Sequence, residues 1–130
     1  MGASAAVGGR LQEYQRKIVE ALSRRMGEPR RFMQILIGPR QTGKTTAIRQ
    51  ALGHVEMPYH YAEVPDRAQT GDWIRAHWQR ARNLIRSKGA AALLVIDEVQ
   101  LVRGWSDTVK ALWDEDAWDG TDLRVVLTGS

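Results

Sequence analysis

The sequence predicts an α/β fold: a mostly parallel sheet between two layers of helices. Three observations carry this. Short apolar runs alternate with helical patterns along the chain, as in β-α-β units. The most apolar run, Leu93–Ile96, has four hydrophobic residues in succession, as a strand buried on both faces requires. The bulk composition, 43% hydrophobic and 26% charged, is that of a chain able to bury a core.

The elements follow in order. Residues 1–10, MGASAAVGGR, lack the basic-then-apolar order of a secretory signal and read as a flexible lead-in. Residues 11–29 hold an amphipathic helix: Leu11, Tyr14, Ile18, Leu22 and Met26 recur near helical spacing, with Gly27 and Pro29 closing it. The run 31–38, RFMQILIG, is a strand, and GKTTAIRQALGH after it is a helix stopping at Gly53. Residues 57–65, bounded by prolines and rich in Tyr and Val, form a second strand. A long helix covers QTGDWIRAHWQRARNLIRSKG, with Trp73, His77, Ala81, Leu84 and Lys88 sharing a face and Trp78 and Ile85 on its flank. A buried strand in 90–100, a helix over 104–116 and a strand over 123–130 complete the series.

Charge is unevenly placed. Residues 10–49 carry ten Lys/Arg against three Asp/Glu (+7), residues 50–96 six against four (+2), and residues 97–130 three against eight (−5), which sum to +4. The basic first third suits phosphate, and nucleic acid as a weaker alternative. Cysteine is absent, which excludes disulfides and thiolate chemistry and fits a reducing interior. No apolar run is long enough to span a membrane, so a cytoplasmic location is expected. His54, His60 and His77 lack metal-ligand spacing and are assigned to surface or core.

The chemistry begins at Gly38-Pro39-Arg40-Gln41-Thr42-Gly43-Lys44-Thr45, which fits G-x-x-x-x-G-K-[ST] at every fixed position. The glycines let successive backbone N–H groups converge on phosphate oxygens, and the helix starting there adds its positive end. Residues Gly38 through Thr46 are the expected nucleotide-binding stretch. Lys44 reaches the terminal phosphates as a point charge, and Thr45 offers its hydroxyl to Mg2+. At the carboxyl end of the Leu93–Ile96 strand, where ligands bind in open α/β sheets, Asp97 is the second metal-site residue. Glu98 beside it is placed to polarise water for attack on a γ-phosphate. That pairing favours ATP hydrolysis. A nucleotide-binding switch with little turnover and a small phosphotransferase are the alternatives, and a water-activating carboxylate disfavours the second.

The blocks IGPRQTGKTT, VIDEVQLVRGWSDTVKALWDED and LRVVLTGS resemble the AAA-type P-loop ATPases of prokaryotes, specifically the branch in which such a domain precedes a C-terminal domain of unknown function. The resemblance covers residues 30–130 and implies a three-layer P-loop NTPase fold with ATP and Mg2+ as cofactors. Gly38, Gly43, Lys44 and Thr45 then correspond to Walker A, Asp97 and Glu98 to Walker B. Thr128, preferred over Ser130, corresponds to the sensor 1 residue that orients the attacking water. Lys44, Glu98 and Thr128 are the expected catalytic residues. Trp105 matches the family's tryptophan; with Trp73, Trp78, Trp113 and Trp118 it reads as core packing rather than base stacking. Arg24, Arg25, Arg30 and Arg31 do not occupy the family's finger position.

The same resemblance implies a further strand and a helical lid after Ser130, so the sequence is expected to be a fragment truncated after the sensor strand. It also implies that the run Phe32–Ile37 lies at an open sheet edge, next to the sensor strand. A second copy or a C-terminal domain in cis is the implied partner, and no membrane is.

Overall fold

The computed structural model describes residues 13, 16, 17, 19–21, 24, 30, 33–38 and 44–130. Strands β1 (Gln34–Ile37), β2 (Tyr59–Glu63), β3 (Ala92–Asp97) and β4 (Leu123–Gly129) alternate with helices α1 (Lys44–Leu52), α2 (Gly71–Lys88) and α3 (Trp105–Asp119). The strands form one all-parallel sheet in the order β1-β4-β3-β2. β1 is thus an end strand beside β4, as expected.

Alternation along the strands builds the layers, because successive side chains leave a strand on opposite sides. Ala92, Leu94 and Ile96 of β3, with Leu123, Val125 and Leu127 of β4, pack against Ile74, Trp78 and Ala81 of α2 and Val109 and Leu112 of α3. Leu93, Val95 and Val126 face the other way, onto Ala47, Ile48, Ala51 and Leu52 of α1. Two apolar clusters therefore sandwich the sheet. Complete burial of an aliphatic side chain such as Ile48 or Ile74 contributes about 1.5–3 kcal/mol.

Helix ends follow local chemistry. α1 stops at Gly53, whose N–H turns back to the Arg49 and Gln50 carbonyls. α3 ends at Gly120, in the left-handed conformation (φ 69°) that glycine adopts without a Cβ clash. Arg30 ties the chain's entry to this region: its guanidinium donates to the carbonyl oxygens of Leu123 (3.0 Å) and Trp113 (2.6 Å) and lies 3.6 Å from the Trp113 ring centroid.

The structure selects the inward face of α2 and corrects one expectation about packing. The buried face of α2 is Ile74, Trp78 and Ala81, whereas Trp73, His77 and Leu84 are half-buried and Lys88 is exposed. Trp73–Lys88 and Ile74–Ala81 satisfy helical spacing equally well, and the fit against α3 and the sheet selects the second. Trp118 is 90% exposed instead of packed. It stands two residues after the buried Asp116, and positions two apart on a helix point in different directions. Trp105 and Trp113 do pack against the core.

α2 and α3 are pinned by a buried polar cluster. Asp116, 1% exposed, accepts from the Trp78 indole N–H (2.7 Å) and from Arg82 Nε (2.7 Å). Arg82 also donates to the Leu112 carbonyl and to Glu115. Burial raises the Asp116 carboxyl above its ordinary pKa, and the Trp78 and Arg82 contacts oppose that shift.

Within the expected N-terminal helix, Glu13, Arg16, Lys17, Val19, Glu20, Ala21 and Arg24 are helical, and Val19 packs against the α1 cluster. Its predicted apolar stripe lies outside the described residues. Among the described residues no helix is long and apolar enough to cross a membrane.

Candidate functional site

The side-chain alternation that layers the sheet also assembles the site. In β3, Leu93 and Val95 face α1, so Asp97, two residues further on, faces the same way at the strand's carboxyl end. In β4, Val126 faces α1, and Thr128 follows it onto that side. Tyr61 of β2 pairs with Val95 and shares its face. Thr45 sits in the first turn of α1, above these strand ends.

The four meet. Thr45 Oγ1 donates to Asp97 Oδ2 at 2.8 Å, and the Tyr61 hydroxyl donates to the same oxygen at 2.8 Å. Thr128 Oγ1 donates to Asp97 Oδ1 and accepts the Glu98 backbone N–H at 3.2 Å. Asp97 is fully buried, so these hydroxyls stand where water would otherwise solvate its charge. Burial first, then the bond to Asp97, raises the Tyr61 phenol well above its ordinary pKa, which keeps it a donor.

Glu98 leaves the strand in the left-handed conformation (φ 63°, ψ 44°), the one non-glycine residue with positive φ among those described. Such a conformation costs on the order of 1 kcal/mol and persists where surrounding bonds impose it. Here they do. Thr128 holds the Glu98 amide, Ser130 Oγ lies 2.9 Å from both carboxylate oxygens, and Gln100 Nε2 donates to Oε2 at 2.5 Å. Gly129 lies under this arrangement: a Cβ there would come within 3.1 Å of Gln100 Oε1.

The expected site residues therefore distribute as follows. Thr45, Asp97, Glu98 and Thr128 converge. Gly38 directly follows β1 and is buried, and its N–H donates to the Gly129 carbonyl at 3.0 Å, which sets the start of the glycine-rich stretch beside the end of β4. Thr46 is exposed on α1. Pro39, Arg40, Gln41, Thr42, Gly43 and the Lys44 side chain lie outside the described residues. Thr128 and Ser130, weighed as alternatives in the sequence, take different partners: Thr128 binds Asp97 and Ser130 binds Glu98.

Tyr61 and Gln100 were not singled out. Tyr61 carried a signal, because it occupies an α1-facing position in a strand neighbouring β3. Strand order, which a single sequence leaves open, was needed to read it. Gln100 follows the acidic pair by two residues, and only the turn at Glu98 brings it back.

Fold and site together define an α/β domain of the P-loop NTPase type: a parallel sheet, a glycine-rich stretch of sequence between β1 and α1, and a carboxylate at the end of β3 meeting the first turn of that helix. The family known as the AAA domain matches residues 30–130, most of the chain, and the chain belongs to that family. No curated protein matches the sequence.

Proposed function

We propose that this domain binds ATP with Mg2+ and hydrolyses it, coupling nucleotide state to a conformational change in an attached or partner module. The observation that carries the reading is the Thr45–Asp97 contact. It unites the residue ending the glycine-rich motif with the carboxylate ending a buried strand, 52 positions apart in sequence. The donor set fits the metal, since hydroxyl and carboxylate oxygens are what Mg2+ prefers. Thr45 and Asp97 would hold it, and the loop amides with Lys44 would hold the phosphates. Bound there, the ion would neutralise phosphate charge and polarise the γ-phosphoryl group.

The remaining work falls to side chains. Glu98 accepts the proton of the attacking water. Thr128 fixes the Glu98 backbone through its amide and orients Asp97 through its hydroxyl. Ser130 and Gln100 hold the Glu98 carboxylate. That hold also supports a second reading, a nucleotide-binding switch with slow turnover, because a carboxylate engaged by two donors is less available as a base.

One set of measurements separates these. Lys44→Ala is expected to lose nucleotide binding in calorimetry. Glu98→Gln is expected to keep binding and lower ATP turnover by at least about 100-fold, within the range attributed to general bases. Turnover equal in Glu98→Gln and the parent would leave the switch reading. Undiminished nucleotide binding by Lys44→Ala would sink both.

A further inference from the structure

Tyr61 has no place in the glycine-rich loop or in the acidic strand end, yet it bonds to the buried carboxylate at the centre of the site. Asp97 Oδ2 accepts from Thr45 and from Tyr61, each at 2.8 Å. A carboxylate oxygen presents about two lone-pair sites, so these two donors fill Oδ2. A metal-bound water that is to be held by Oδ2 must displace one of them. Thr45 belongs to the element that carries the phosphate loop and is itself a metal-site residue. Tyr61 comes from β2 and has no other role there, so it is the donor that gives way.

The surroundings of Tyr61 provide for such a movement. Its ring borders a cleft of about 320 Å³ lined by Arg49, Leu52, Tyr59 and Tyr61 itself. The Arg49 guanidinium lies 5.7 Å from the ring centroid, a cation facing the π-system from the α1 side. Tyr61 is half-buried, packed against the margin of the α1 cluster and not enclosed within it.

We infer that Tyr61 is a positioning residue that competes with the metal site for Asp97, holding the Oδ2 acceptor site until magnesium nucleotide binds and then yielding it toward the Arg49 cleft. This rests on the nucleotide-site reading above. Tyr61 thereby sets how strongly metal and nucleotide binding are coupled, and it keeps a buried carboxylate satisfied between cycles.

The test compares the parent with Tyr61→Phe by calorimetric titration of ADP, once with excess Mg2+ and once with EDTA. The EDTA affinities are expected to agree within about twofold. The gain produced by Mg2+ is expected to be about tenfold larger in Tyr61→Phe, because the variant has no charge-assisted hydrogen bond to forfeit. A purely structural role would lower the melting temperature and leave that ratio unchanged. A ratio equal to or below the parent's overturns the inference. An independent measurement uses the parent protein labelled with 3-fluorotyrosine: the fluorine resonance of residue 61 moves when Mg2+ is added to the ADP complex, and a stationary resonance overturns the inference even where Tyr61→Phe fails to fold. If the parent itself shows no magnesium-dependent gain, the nucleotide-site reading falls too. A normal gain that Tyr61→Phe leaves unaltered removes only the role of Tyr61.

Discussion

The molecule buries two aspartates, one on each side of its sheet, and treats them differently. Asp116, between α2 and α3, is met by the Arg82 guanidinium and the Trp78 indole. Asp97, facing α1, receives hydroxyls from Thr45, Tyr61 and Thr128. A guanidinium only donates and remains charged, and an indole N–H only donates. A hydroxyl rotates, donates or accepts, and can ligate a cation through its lone pairs. The first arrangement suits a permanent joint between helices. The second suits the exchange of partners proposed above for Asp97, and it lies where the glycine-rich stretch of sequence begins.

The largest expected effect breaks the fixed side. Arg82→Ala leaves Asp116 buried without its guanidinium and is expected to lower stability by about 3 kcal/mol in denaturant titration. The double variant Arg82→Ala, Asp116→Asn recovers part of that loss, since the amide carries no charge to strand. Magnesium-dependent nucleotide affinity of the folded fraction stays at the parent's level in both. Loss of that affinity would show that the two sides are not separable.

Asp97→Asn is the matching change on the adjustable side, and its expected consequence is the reverse. Stability moves by no more than about 1 kcal/mol, because an amide still exchanges hydrogen bonds with the surrounding hydroxyls. The part of nucleotide affinity that depends on Mg2+ disappears. A stability loss as large as that of Arg82→Ala would mean that Asp97 is a structural joint like its counterpart.

The smallest effect sharpens the contrast through pH. His60 Nε2 and His77 Nδ1 face each other at 2.9 Å on the α2 side, and Trp73 packs against the His77 ring. Burial, then the His60 and Arg80 charges, push His77 down to about 4 from an ordinary 6.5. Between these values the unfolded chain binds more protons than the folded one, so stability falls as pH drops from about 6.5 toward 4. His77→Gln is expected to flatten that part of the melting-temperature profile. An unchanged slope would assign the acid sensitivity elsewhere.

Much of this was legible in the sequence because the deciding signals are local. The apolar run 93–96 announces a strand buried on both faces, and the helical pattern from Lys44 to Gly53 announces α1. What the sequence left open is set by tertiary choice. Two sets of α2 residues, one through Trp73 and His77 and one through Ile74 and Trp78, have the same periodicity, and contact with α3 decided between them. Tyr61 became part of the site only once β2 lay beside β3 in register, Tyr61 opposite Val95. Ser130 and Gln100 found Glu98 only through its left-handed turn.

The alternation through β3 carries a consequence for how this domain tolerates change. Swapping one aliphatic for another between Ala92 and Ile96 alters volume and little else. Deleting a single residue there shifts the reading frame of the pleat, turning Asp97 onto the helix pair's greasy side and offering Thr45 a hydrocarbon. The same chemistry, counted one step short, would leave a domain that folds poorly and lacks the carboxylate on which the proposed magnesium site depends.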